Sequence, residues 1–328
     1  MRSPGLSVVV GGLLALSACA GLDGLTGGGS SGNPDPVTPP IVRPDGGQVE
    51  GDGGGLPSSD ASGDAAPGPT CDRAGPFVDV VPVSGLPSGV GSPVLSADEL
   101  EIYFTVSVGD GGSPDLRRAT RSSAGVAFEP PSDVFPLHLY DEKPFSLAGN
   151  GLALYGAVQG SLRVARRASP TGIFGSLDPL NGFSAGDVYV WVNEDQTVAY
   201  TIRRAFGGFG DDEIFRSTAG TPGNFGGAVD QALSQKGVDY AAVVVSDDEL
   251  TAYLTRKSNG STSSVYASTR GAKTAPWGAP TLVSEVNTSG ADELTWLSRD
   301  GCVAYGTRSV GGPAGGRQAF RAAKRKVQ

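Results

Sequence analysis

The sequence is poor in the residues that carry most side-chain chemistry. Its 328 residues include one His, one Met, three Cys and only six Lys beside nineteen Arg, and charged residues make up 18%. A Ser–His–Asp arrangement would have to be built on His138 alone, in Pro136-Leu-His-Leu-Tyr140, and no Gly-x-Ser-x-Gly elbow accompanies it. So few Cys and His exclude a multi-Cys zinc module and a disulfide-dense miniprotein, and no metal site is expected. No Gly-x-x-x-x-Gly-Lys-Ser/Thr loop is present, and no cofactor is expected either. The formal net charge of −9 speaks against nucleic acid as a partner. In contrast, Gly (51) and Pro (24) are abundant. They are the poorest helix formers, so a helical protein is excluded.

Residues 1–19 read as a secretion signal, with Arg2 followed by an apolar run from Leu6 to Leu16. Eleven residues are too few to span a bilayer as a helix. The run ends in Leu16-Ser17-Ala18-Cys19, which resembles the bacterial lipoprotein lipobox. That resemblance implies a lipid on Cys19, and Ala20 in place of Asp points to the outer membrane, with the chain on its periplasmic face or at the cell surface. The alternative is an ordinary signal cut around a chance Cys. Residues 20–70 hold 14 Gly and 8 Pro, with seven acids against Arg43. Such a segment buries too little apolar surface to offset its ordering entropy and is expected to be a disordered tether.

From Cys71 to Gln328 short runs of Val, Tyr, Phe, Leu and Ile alternate with Gly/Asp/Ser/Pro clusters, the pattern of strands and turns. One frame recurs five times, a turn residue with Tyr five positions later: Asp98…Tyr103, Asn150…Tyr155, Asp195…Tyr200, Asp248…Tyr253 and Asp300…Tyr305. The steps are 52, 45, 53 and 52 residues. Each frame fits a β-hairpin whose Tyr packs between neighbouring sheets. Further columns keep the step, among them Ala119-Thr-Arg121, Ala165-Arg-Arg167 and Ser268-Thr-Arg270, and then Phe128, Phe174, Phe225 and Trp277. Four short strands in about fifty residues make one propeller blade.

The Ser-x-Asp…Tyr frame, the Gly-Gly loops and the following Ala-Thr-Arg resemble the TolB-like β-propeller repeat of bacterial envelope proteins over about residues 76–326. The last unit has only three strands, and a lone strand, Phe77–Val83, precedes the first. Joining them gives an all-β ring of five four-stranded blades closed by an N-terminal strand, which removes free edges. A disulfide between Cys71 and Cys302 would lock that closure in an oxidising envelope, the alternative being a buried Cys302 and a loose Cys71.

One acidic column remains. Asp141, Asp187, Asp239 and Asp292 each stand 12–14 residues before their blade's Tyr, at the start of the innermost strand. They could hold a cation, form a glycosidase carboxylate pair, or accept backbone N–H bonds that tie blades together. With no catalytic residue assigned, the expectation is a monomeric, lipid-anchored propeller that binds or scaffolds an envelope protein or glycan without catalysis. The alternative is a carbohydrate-active enzyme working with carboxylates at the channel mouth.

Overall fold

A computed structural model describes residues 71–106, 114–135, 142–204, 211–226, 229–231, 233–258, 262–311 and 316–327. The signal, the tether, His138 and Asp141 lie outside the described residues.

Five four-stranded antiparallel sheets form the fold, and the described residues contain no helix. A lone strand β1 (Phe77–Pro82) comes first. Blade one is β2 (Val90–Leu95), β3 (Glu101–Val106), β4 (Asp115–Thr120) and β5 (Ser132–Asp133). Blade two is β6 (Glu142–Ala148), β7 (Ala153–Val158), β8 (Ser161–Arg166) and β9 (Leu177–Pro179). Blade three is β10 (Asp187–Val192), β11 (Val198–Arg203), β12 (Glu213–Thr218) and β13 (Val229–Gln231). Blade four is β14 (Asp239–Val245), β15 (Thr251–Lys257), β16 (Ser263–Thr269) and β17 (Thr281–Leu282). Blade five combines β18 (Glu293–Leu297), β19 (Val303–Ser309) and β20 (Arg317–Lys324) with β1 outermost, in the order β1-β20-β19-β18. The ring is a five-bladed β-propeller closed by its N-terminal strand.

The innermost strands β2, β6, β10, β14 and β18 are the most deeply buried, as their Val/Leu/Trp content requires. Each shifts register against its outer neighbour, for example between Asp187 and Tyr189 and between Leu294 and Trp296. Such bulges bend and twist a strand, and here one recurs in every blade. Where the outer neighbour comes closest no side chain fits: a Cβ on Gly306 would collide with the carbonyl of Glu293.

Cys71 and Cys302 are joined by a disulfide with Cα atoms 5.7 Å apart. Although β20 separates β1 from β19, Cys71 lies before β1, where it bridges to Lys326 just beyond the end of β20. The bond therefore passes over the tip of the intervening strand.

Candidate functional site

The repeat frame builds one turn in four blades, while blade two turns through Gly149-Asn150-Gly151, all three with positive φ. In Ser96-Ala97-Asp98, Ser246-Asp247-Asp248 and Ser298-Arg299-Asp300 the Ser hydroxyl donates to the Asp carboxylate at 2.6 Å. The same carboxylates accept the amides of Leu100, Leu250 and Cys302 at 3.0–3.1 Å. In blade three Asn193 does this work, accepting the amides of Thr197 and Val198 at 2.9 Å. The residue after the turn Asp takes a left-handed backbone: φ is 60° at Glu99, 56° at Gln196, 54° at Glu249 and 72° at Gly301.

Each turn is clamped to the preceding blade. The Tyr200 hydroxyl donates to Glu249 at 2.9 Å, while Arg270 holds the Glu249 carbonyl at 2.6 Å and stacks over Trp277 at 4.3 Å. Tyr305 meets Glu99, Arg121 and Phe128 in the same way, and Tyr103 meets Arg167 and Phe174. Between blades two and three the Tyr155 hydroxyl donates to Gln196 at 2.7 Å, and the Arg is replaced by Ala219. At the closing joint Lys324 stands in for the Arg and lies over Tyr253 and over Phe77 of β1.

The ring has two mouths, one at the starts of the inner strands and one at these turns. The acidic column read from the sequence lies at the first. There Asp187, 2% exposed, takes Nε and Nη2 of Arg203 at 2.8 and 3.2 Å and the Ser184 amide at 2.6 Å. Asp292, fully buried, accepts the Thr288 amide and hydroxyl. Asp239 stands opposite Lys257 in the β14–β15 ladder. The three described acids are thus engaged within their own blades.

The second mouth holds a cluster that sequence reading missed. It is lined by the middle residue of each turn frame: Ala97, Glu194, Asp247 and Arg299 from four blades. Asn150, of the fifth, donates its amide to the Glu194 carboxylate. The Glu194 amide in turn serves the Asp247 carboxylate, and Arg299 Nε lies 3.4 Å from Asp247 Oδ2. Burial pushes both carboxyls up from their ordinary values, Asp195 adds to the rise of both and Asp247 to that of Glu194, against a backbone amide on each and the pull of Arg299. Phe145, Trp191 and Trp296 line the channel below. The cavity inside is about 40 Å³, room for roughly three waters and too small for a sugar ring, so a larger substrate would rest across the mouth. The signal in the sequence is faint: the middle residue of the frame varies from blade to blade, as do the residue after the turn Asp or Asn and the second residue before the Tyr.

These features define the class as a closed five-bladed propeller with a carboxylate-bearing mouth. No protein-family model matches the chain, and no curated protein matches its sequence. Solved structures do. An endo-arabinase from Bacteroides thetaiotaomicron VPI-5482 is 12% identical over 77% of this chain and 99% of that one, with a TM-score of 0.51. A thermostable family-43 glycoside hydrolase is 15% identical over 76% and 98%, TM-score 0.49. TolB from Acinetobacter baumannii is 13% identical over 74% of this chain and 56% of its own length, TM-score 0.41. At these identities the likeness is one of fold.

The comparison corrects one expectation. A non-catalytic binding or scaffolding module was inferred from the scarcity of His, Cys and nucleophile motifs. The endo-arabinase has a similar fold, and cleavage by paired carboxylates needs none of those residues. The scarcity therefore excludes nucleophile and metal chemistries without excluding catalysis, and the non-catalytic expectation is withdrawn.

Proposed function

We propose that this chain cleaves glycosidic bonds at the turn-side mouth, with Glu194 as proton donor and Asp247 as the charged partner. The observation that carries this reading is the pair itself: two half-buried carboxyls from adjacent blades, both shifted up from their ordinary values. Carboxyls that repel one another share a proton over a range of pH in which isolated ones would both be ionised. Arg299, paired with Asp247, favours negative charge there and leaves the proton on Glu194. Glu194 then protonates the departing glycosidic oxygen while Asp247 works on the other side of the sugar carbon, by activating water or by direct attack.

The test is release of reducing ends from a panel of neutral polysaccharides by the purified domain, beside Glu194→Gln and Asp247→Asn. Loss of about 10²–10⁴-fold in rate is expected for each. Equal rates in parent and variants, or no release from any polymer, would overturn the assignment.

The address belongs to the same proposal. A lipid on Cys19 and a tether over residues 20–70 would hold the propeller at the outer membrane, within reach of envelope or external polymers. Membrane fractionation checks this: Cys19→Ser is expected in the soluble fraction, and its retention with membranes would refute the anchor.

A further inference from the structure

The mouth is asymmetric, and the asymmetry points outward. The middle position of the turn frame is Glu194, Asp247 and Arg299 in blades three to five, but Ala97 in blade one and Gly149 in blade two. Long charged side chains wall three fifths of the rim. The remaining two fifths carry almost no side chain, so the rim is low on that side. Immediately beyond the low side, between blades one and two, lies a trough of 460 Å³, more than ten times the volume inside the mouth.

Two residues connect the trough to the chemistry. Ala97 lines both the mouth and the trough. Asn150 lines the trough and donates its amide to the Glu194 carboxylate. A molecule lying along the trough therefore ends one residue from the proposed proton donor.

The lining also limits what the molecule can be. Its surface is mainly apolar, with Ala97, Leu100 and Pro170 contributing, and its polar groups include Asp98, Asn150, Thr171 and the guanidiniums of Arg118, Arg121 and Arg167. Apolar patches bounded by planar hydrogen-bonding groups suit the CH faces and hydroxyl edges of sugar rings. The charges of the wall largely offset one another: Arg118 and Arg167 share Glu101, Arg121 pairs with Glu99, and Asp98 adds a third carboxylate beside these three guanidiniums. A trough whose cations have partners does not select a charged ligand.

We propose that the trough between blades one and two seats an uncharged polysaccharide, which leaves the Glu194–Asp247 mouth over Ala97 and Asn150. This rests on the glycoside-cleaving reading and extends it: the substrate is bound over several sugars on one side of the bond that is cut.

The test separates the two readings by measuring binding apart from cleavage. The probes are xylo-, arabino- and galacto-oligosaccharides of two to six units, titrated calorimetrically into the Glu194→Gln protein. Thr171→Trp, made in the same background, fills the trough from an exposed loop position, and its melting temperature checks the fold. Affinity is expected to rise with length for at least one series, and Thr171→Trp is expected to remove about tenfold or more of that rise while leaving the disaccharide unchanged. The same length dependence in both proteins, or no binding by any series, overturns the trough. Length-dependent binding that Thr171→Trp abolishes, with no cleavage by the parent, retains the trough and rejects the glycosidase.

Discussion

At the scale of the residue, the recurring Tyr does two jobs with one side chain. Its ring fills the space between blades, and its hydroxyl reaches the turn of the next blade. Tyr200 is fully buried, and Glu249 receives its hydroxyl together with the guanidiniums of Arg216 and Arg270. Removing that hydroxyl leaves a buried carboxylate with one donor fewer. Tyr200→Phe should cost about 1–2 kcal/mol, read as a fall of a few degrees in the thermal midpoint. An unchanged midpoint would mean that the ring alone matters.

Charge at single residues gives opposite pH signatures at the clamps and at the mouth. Burial pushes the Glu249 carboxyl up, but hydrogen bonds from Arg216 and Tyr200 outweigh it, and the net shift is downward from 4.5. Its contribution to stability is therefore present above pH 4.5 and lost as pH falls through the lowered value. Glu194 is shifted upward, so its contribution is present in acid and lost as pH rises through the raised value. Glu194→Gln should consequently melt higher than the parent at pH 7, with the gap closing towards pH 4. Glu249→Gln should melt lower at pH 7, its deficit shrinking in acid. Denaturation curves at both pH values decide the signs.

At the scale of the element, the five hairpins were legible because each depends on local chemistry. Ser or Asn, Asp and a residue able to hold positive φ stand within six positions of one another, and the Tyr follows at fixed distance. The clamps were legible only in part. Arg121, Arg167 and Arg270 recur at the blade step, but Lys324 serves the closing joint, and where Ala219 replaces the Arg the cation is Arg166, one strand position away from the column. Those substitutions make sense only when the neighbouring blade is in view, where Arg166 reaches the Tyr155 hydroxyl. Closure itself rests on β1 and the Cys71–Cys302 bond, which constrains a loop 231 residues apart in sequence. Replacing both cysteines by Ser should reduce unfolding free energy by about 2–5 kcal/mol in urea titrations. Reductant should do the same to the parent and nothing to the variant.

At the scale of the whole molecule, the acidic column and the mouth pair mark how far a repeat can be read. Asp187, Asp239 and Asp292 were conspicuous because they repeat, and repetition is what a residue shared by every blade's construction shows. Asp187 and Asp292 accept amides near the starts of their own strands. Glu194, Asp247 and Arg299 were overlooked because they break the pattern at one position. In a symmetric ring a site for an asymmetric molecule has to come from such departures. The one sequence signal for it is the list of residues that the frame leaves unspecified.

The shared fifth blade also sets an order of events. Its outer strand, β1, is among the first segments of the domain to be made, yet its only hydrogen-bonded strand neighbour is β20, ending at Lys324. Blades one to four can fold as they appear, each from contiguous chain. The fifth cannot exist until β20 is available, and Phe77 stays exposed until then. A chain that crosses a membrane as an extended thread would therefore close its ring only on the far side, and the thiol of Cys71 would wait throughout transit for Cys302. Assembly of the propeller is timed by the arrival of β20.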